Sequence, residues 1–532
     1  MPKNHQRAIF EAMQVPGFYP HAVDAVEEIE THISRVFLAG DYVYKVKKAV
    51  DFGFLDFSSL EKRRYFCDQE VMLNRRLAHD VYRGVAAIRL GEKGYTLDGN
   101  GDRIVEYAVQ MRRLPSSRTM EHLLQEDALD AGDLKDLGRL LAHFYQNART
   151  GAHIDEIGSW ETVRRNCREN FDQLKPFVDR WIDARTYEIV RASTYAFLNR
   201  RRPLFAKRLQ EGRVCDGHGD LRSDHIYFTD AGIRIIDCIE FNERLRFGDS
   251  SSDLGFLAMD LDFQGYSEAA ATVLEAYIQH SGDDEVPLLI NFYKCYRALV
   301  RAKVHCLTLK QAGADPEDAP DPHRAIDRHV ALAFDYAVDF IRPTLWIVCG
   351  LIAAGKSTLA QALAEKRNVR LLRSDQIRKQ LFTDDPEQSR TAAFGADIYS
   401  PHATALTYAH MLEQAQQEIE KGASVILDAT FSQRKWRTEA RRLAADTDAN
   451  IVFIQCTAAE AVLKRRLRDR DSQPSRSDAR LQHYAAFKAD YEPLDDIPSD
   501  HLISIDTALP LQEGLRRIMA SDFLLMSRHR GR

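Results

Sequence analysis

At 532 residues the chain is longer than one hydrophobic core usually serves, so two or more domains are expected. An apolar content of 45% with 29% charged residues describes an ordinary globular protein, and a net charge of −6 gives no general attraction to nucleic acid or to a membrane surface. The eight cysteines form no C-x-x-C pair or metal-ligand spacing, no apolar run is long enough to cross a bilayer, and Met1-Pro2-Lys3-Asn4-His5 begins no signal peptide, so a cytoplasmic protein without a membrane partner is expected.

In chain order, Val36-Phe37-Leu38, the turn Ala39-Gly40-Asp41 and the run 42–46 predict a β-hairpin. A helix over 60–77 follows, then strands over 85–90 and 105–111, and helical patterns dominate from 133 to about 208. A small antiparallel sheet with one helix, followed by a larger helical lobe, predicts two lobes with a cleft between them. Arginine pairs such as Arg63-Arg64 and Arg112-Arg113 read as solvated faces.

The next segment, Cys215-Asp216-Gly217-His218-Gly219-Asp220-Leu221-Arg222-Ser223-Asp224-His225, precedes a second hairpin, after which Ile235-Ile236-Asp237-Cys238-Ile239-Glu240 brings an acid beside an apolar strand. Burying Asp237 there is costly unless it is paired or holds a cation. His218 taken alone reads as a satisfied core histidine. The pattern resembles the aminoglycoside phosphotransferase family, a branch of the protein-kinase-like fold, over about residues 30 to 310. The resemblance implies that Asp220 orients an acceptor hydroxyl and accepts its proton, that Asp237 ligates magnesium, and that Asp253-Leu254 starts a structural helix. It also implies that Lys45 holds the α- and β-phosphates of ATP with Glu70 as its ion-pair partner; Lys47 lies on the same strand face. This chain departs from the family twice. His225 stands where the family places a metal-binding Asn, and imidazole is a poor ligand for a hard cation. Glu30-Thr31-His32-Ile33-Ser34 lacks the glycines of a phosphate loop, so backbone cradling of phosphates is weaker there or is done by the Thr31 and Ser34 hydroxyls.

The polar, proline-bearing stretch 311–322 is the clearest break in periodicity, and 325–341 reads as one amphipathic helix ending before Pro343. The expected boundary falls near 342, giving domains 1–342 and 343–532.

Beyond it, Gly350-Leu351-Ile352-Ala353-Ala354-Gly355-Lys356-Ser357-Thr358 fits the phosphate-binding P-loop pattern G-x-x-x-x-G-K-[ST], between a short apolar run and a helical one. Gly350 and Gly355 allow turns that aim backbone N–H groups of Ala353, Ala354 and their neighbours at phosphate oxygens. Lys356 reaches the β- and γ-phosphates of ATP, while Ser357, followed by Thr358, ligates Mg2+. Apolar runs at 346–349, 369–372, 425–427, 451–454 and 502–505 alternate with helices, as in a parallel sheet covered on both faces.

Arg373-Ser374-Asp375-Gln376-Ile377-Arg378-Lys379 resembles the S-D-x-x-R-K segment of small P-loop kinases and of the zeta-toxin and polynucleotide-kinase group. That resemblance implies Asp375 as the residue activating a hydroxyl and Arg378 as the one gripping substrate; a helix N-cap is compatible with both. Val425-Ile426-Leu427-Asp428 reads as a strand whose terminal Asp428 organises magnesium through water, or simply ends the strand. Arg465, Arg466 and Arg470 on a helix, and Arg476 beyond it, are the candidates for a lid arginine.

The expectation is therefore an α+β protein-kinase-like, two-lobed domain followed by an α/β P-loop kinase domain with a parallel sheet. The P-loop domain would transfer the γ-phosphate of ATP to a hydroxyl on a small molecule or a nucleic-acid end. The alternative is an ATP-hydrolysing or ATP-sensing switch whose first half is a silent binding module.

Overall fold

The computed structural model describes residues 3–53, 55–92, 94–98, 103–312, 320–367, 369–382, 397–471 and 481–518. It comprises two compact units, residues 1–283 with 289–337 and residues 284–288 with 338–532.

The first unit opens with helix α1 (Lys3–Met13), strands β1 (Val26–Glu30), β2 (Ser34–Ala39) and β3 (Tyr42–Lys47), helix α2 (Leu60–Asn74), and strands β4 (Tyr82–Gly91), β5 (Gly94–Leu97) and β6 (Arg103–Arg112). The strands form one antiparallel sheet in the order β1-β2-β3-β6-β4-β5. Period-two alternation splits β3 between two cores. Tyr44 and Val46 pack with Ile9, Phe10 and Met13 of α1, whereas Val43 sides with Cys67 and Val71 of α2. Lys45 and Lys47 share the face of Val43 and so point toward α2. The hairpin turns at Gly40, whose φ of +60° lies in the left-handed region.

Helices then dominate: α3 (Met120–Gln125), α4 (Ala131–Gln146), α5 (Ala152–Ile157), α6 (Trp160–Leu174) and α7 (Ala184–Gln210). Strands β7 (Val214–Asp216), β8 (Ile226–Thr229) and β9 (Gly232–Ile235) follow, then α8 (Glu243–Arg246), β10 (Phe247–Asp249), α9 (Ser250–Gln264), α10 (Ser267–Ser281), α11 (Val286–Ala312) and α12 (Pro320–Ile341). The hairpin β8–β9 lies between the His-Gly-Asp triplet and Asp237, as the sequence predicts. Helices α4 and α10 meet at Gly138, where a Cβ would stand 2.5 Å from the Val273 carbonyl oxygen. The polar stretch near 311–322 is helical at its ends, up to Ala312 and from Pro320, and 313–319 lie outside the described residues. A six-stranded antiparallel sheet carrying one long helix between strands, followed by a helical lobe holding the His-Gly-Asp segment, is a protein-kinase-like fold.

The second unit is a parallel α/β sandwich: β11 (Thr344–Cys349), α13 (Lys356–Arg367), β12 (Arg370–Arg373), α14 (Ser374–Phe382), α15 (Pro401–Glu420), β13 (Val425–Asp428), α16 (Arg434–Asp446), β14 (Asn450–Thr457), α17 (Glu460–Asp471), α18 (Tyr484–Ala489) and β15 (Leu502–Asp506). The strand order is β12-β13-β11-β14-β15, every pair parallel. All residues of β11 are buried, because helices cover both sheet faces. Trp346 and Val348 face Leu359 and Leu363 of α13, while Leu345 and Ile347 face Met411 of α15 and Ala440 of α16. Among the described residues, no helix is long and apolar enough to cross a membrane.

Candidate active sites

In the second unit β11 is the central strand; the connection from β11 to β12 runs to one side of it and that from β13 to β14 crosses to the other, a reversal at which open α/β sheets form a ligand crevice beyond the strand ends. The loop 350–355 turns there. Gly350 has φ +135° and lies so close to β14 that a Cβ would stand 2.4 Å from the Cys456 carbonyl oxygen. Gly355, at φ +83°, would press a Cβ to 3.1 Å from Thr507 Cβ. Ala353 holds φ +60° despite its side chain, a strained value maintained by the surrounding fold. Ala353 and Ala354 are buried, whereas Ser357 and Thr358 are exposed at the first turn of α13. Lys356 curls back to donate to the Leu351 carbonyl oxygen at 2.8 Å. Burial lowers the Lys356 ammonium below the usual lysine range, against the pull of Asp428 and Asp375.

Register assembles the rest. Val348 of β11 pairs with Asp428 of β13, which pairs with Arg373 of β12, so three strands end side by side and Asp375 follows at the start of α14. Asp428 is 5% exposed; burial raises its carboxyl above the usual range, against Lys356 and a hydrogen bond from Ser357. The Ser357–Asp428 contact, beside a loop where a Cβ on Gly350 would enter the β14 backbone and one on Gly355 would crowd the Thr507 side chain, fits a magnesium–nucleotide group. Arg373, which the sequence reading passed over, holds Nε 3.9 Å from Asp428 Oδ2.

Two arginines fall elsewhere than expected. Arg378 is not free to grip a substrate: it is 7% exposed and its Nη1 donates to the Ile398 carbonyl oxygen at 2.7 Å and to Thr404 Oγ1 at 3.2 Å. The cause is helical period, since Ile377 and Arg378 form the buried stripe of α14. Arg466 braces the P-loop, donating to the Ala353 carbonyl oxygen at 3.2 Å and to the Thr507 carbonyl oxygen at 2.6 Å. Arg465 is exposed; the side chain of Arg470 and all of Arg476 lie outside the described residues.

In the first unit the candidate residues converge from four elements. Lys45 Nζ lies 2.6 Å from Asp237 Oδ1 and 3.0 Å from Glu70 Oε1. Lys47 donates to Glu70 Oε2 at 2.7 Å and also to Glu240 Oε1. Burial opposes charge on Lys45, yet Asp237, Glu70 and Glu240 raise its pKa well above the usual range. Burial likewise opposes the charge on Glu70, but the two lysines hold its carboxyl below the usual range. Asp237 follows the same logic, held low chiefly by Lys45. Its backbone sits at φ +66°, a conformation a non-glycine residue keeps only when its surroundings impose it. Tyr82 accepts the Asp237 N–H at 3.2 Å, and Asn74 Oδ1 accepts the Cys238 N–H at 2.8 Å. Helix α2 thus places Glu70 and fixes the Asp237 turn as well.

The His-Gly-Asp segment is tied down from below. Asp253 of α9 accepts the His218 N–H at 2.7 Å and the Gly219 N–H at 3.0 Å, and Gly217 leaves room for it, since a Cβ there would meet Asp253 Oδ2 at 2.6 Å. Arg76 grips the carbonyl oxygens of Asp216 and Gly217, both at 2.7 Å. His218 is 1% exposed, bonds the Ile236 carbonyl oxygen at 3.1 Å, and burial lowers its pKa to about 4, so it is a framework side chain. Asp220 is left partly exposed, and ligand atoms of Asp220, His225 and Asp237 lie within 4.8 Å of one another. The two carboxylates fit a divalent cation. Of the two expectations for 30–34, weaker backbone cradling or phosphate held by hydroxyls, the second fails. Thr31 Oγ1 closes its own turn, accepting the Ser34 N–H at 2.9 Å, and Ser34 is fully buried, so neither hydroxyl is available to phosphate.

Residues 345–494 match the sequence pattern of a family described as AAA domain. An uncharacterised protein of Mycobacterium tuberculosis is 34% identical over 460 residues, covering 86% of this chain and 89% of that protein; one from Mycobacterium bovis matches equally. This chain belongs to their family. Among solved structures, a choline/ethanolamine kinase family protein from Mesorhizobium loti matches 62% of this chain and 99% of its own, at 14% identity and a TM-score of 0.38. The APS kinase of Mycobacterium tuberculosis matches 34% of this chain and 97% of its own, at 20% identity and a TM-score of 0.26.

Proposed function

We propose that the protein is an ATP-dependent phosphotransferase with two nucleotide sites, one in each of the working halves 1–342 and 343–532. For the C-terminal half, the supporting observation is the strand register that sets the P-loop, Asp428 and the Asp375-bearing start of α14 side by side. When bound, Mg2+·ATP supplies the transferable phosphoryl group and part of the charge neutralisation. Asp375 orients the acceptor hydroxyl and takes its proton as the oxygen–phosphorus bond forms and ADP leaves. Lys356 releases the Leu351 carbonyl oxygen and stabilises the charge developing on the phosphoryl oxygens. Ser357 and Asp428 hold the metal side. Arg378 acts as a wall residue that fixes α14, and the acceptor is a hydroxyl on a small molecule or a nucleic-acid end.

For the N-terminal half, the support is the Lys45–Asp237–Glu70 group beside a partly exposed Asp220. Lys45 would hold the α- and β-phosphates, Asp237 the metal, and Asp220 the acceptor proton. A screen of metabolites and oligonucleotides with radiolabelled ATP tests both halves. Labelled product that depends on an acceptor and disappears in Asp375→Ala supports the C-terminal reading; product lost in Asp220→Ala supports the N-terminal one. ATP turnover indifferent to every acceptor and to Asp375→Ala would replace the transferase reading with a switch.

A further inference from the structure

The residue that departs from the family pattern, His225, lies in a setting that excludes one of the metal positions. Its Nδ1 is 2.9 Å from the carbonyl oxygen of Asp220, an acceptor, so Nδ1 carries the hydrogen. Its Nε2 faces Arg222 Nη2 at 2.9 Å, and because a guanidinium N–H can only donate, this contact is made by an Nε2 that carries no hydrogen. The same guanidinium sets Nη1 3.1 Å from Asp224 Oδ2 and Nε 3.5 Å from Asp220 Oδ1. Arg222 is thus a cation with an imidazole and two carboxylates around it, and it is 16% exposed. A divalent ion bridging Asp220 and His225 would have to take the nitrogen that Arg222 holds and stand against a guanidinium that does not deprotonate. Imidazole is in any case the wrong donor for a hard, oxygen-seeking ion. On Asp237, Lys45 Nζ lies 2.6 Å from Oδ1, while Oδ2 stands 3.7 Å from His225 Nε2 and outside hydrogen-bond range of it.

We infer that the N-terminal site takes a single divalent ion, on Asp237, and that the Arg222 guanidinium stands in place of a second ion, presenting its positive charge beside Asp220. The inference rests on the reading of this half as a nucleotide site. Arg222 then supplies a fixed positive charge beside the transferring phosphoryl group in place of an ion.

The test is a count of bound Mn2+ by electron paramagnetic resonance, on the full chain with a non-hydrolysable ATP analogue, in a Lys356→Ala/Ser357→Ala background that silences the P-loop. One ion per chain is expected, falling to none when Asp237→Ala is added. A count of two overturns the inference while leaving the nucleotide-site reading intact. A count of zero in the background removes that reading and the inference with it. Adding Arg222→Gln with His225→Asn vacates the guanidinium and restores an amide oxygen, and the count should rise to two. A folded double variant, verified by its melting curve, that stays at one ion overturns the assignment of Arg222.

Discussion

The two candidate sites achieve the same kind of charge management by opposite routes. At the P-loop, consecutive residues 350–358 provide the turn, the lysine and the hydroxyl, and backbone conformation does the shaping. In the first unit Lys45 and Asp237 are 192 residues apart, the loop at 30–34 is closed on its own side chains, and side-chain ion pairs replace a backbone cradle. A backbone cradle tolerates little change at its glycines but is local. An ion-pair cage is distributed over the fold, and each buried charge depends on the others for compensation.

The sharpest break of that contrast is Glu70→Ala, which leaves Lys45 and Lys47 facing each other without the acid between them. Removing one partner of a buried ion pair costs about 3–5 kcal/mol, so the chemical-denaturation midpoint of the first unit should fall steeply while the second unit is unmoved. An unchanged midpoint would mean the cage is not structural. Next, Lys356→Ala should lower C-terminal phosphoryl transfer by about 10²–10³-fold, the loss typical of one preorganised charge donor, without shifting the first unit's unfolding transition; a wild-type rate would remove the P-loop from the chemistry. Gly350→Ala acts on the backbone instead. The added Cβ would meet the Cys456 carbonyl oxygen at 2.4 Å, so β11 and β14 must part, at a cost of about 1–3 kcal/mol confined to the second unit.

The most gradual effect is a pH dependence belonging to the first unit. Burial lowers the pKa of His329, stacked on Phe263, from 6.5 to about 3, with His305 and the Arg301 and Arg328 cations adding to the shift. Between those values the unfolded chain binds a proton that the folded chain does not, so stability present above pH 6.5 is lost as pH falls toward 3, by about 1.4 kcal/mol per pH unit. Replacing His329 by Phe should flatten that slope for the first unit; an identical slope in the variant would assign it to other groups.

Much of this was legible because it is local. The hairpin around Gly40, the P-loop, and the alternation of apolar runs with helices rest on periodicity and glycine placement within short windows. Lys47 carried a signal, lying two residues from Lys45 on the same face, and Arg222 stood inside the His-Gly-Asp segment. Asn74, Arg76 and Tyr82 carried none, since their roles are to bond the backbone of residues more than a hundred positions away. Arg378 fits the motif position of a substrate grip, but motif spacing does not reveal which face of a short helix is buried, and here that face carries Ile377 and Arg378.

The amino-acid order by itself determined that a phosphate loop lies between a buried strand and a helix, and that Asp220 and Asp237 flank a hairpin, because those features follow from steric and periodic rules acting within a few residues. Only the tertiary structure decided that Lys45, rather than Lys47, meets Asp237, that Asp428 comes beside Arg373 and the start of α14, and that Arg222 occupies the lone pair of His225. Those pairings depend on strand register and helix packing, where a shift of one residue would turn each side chain to another face.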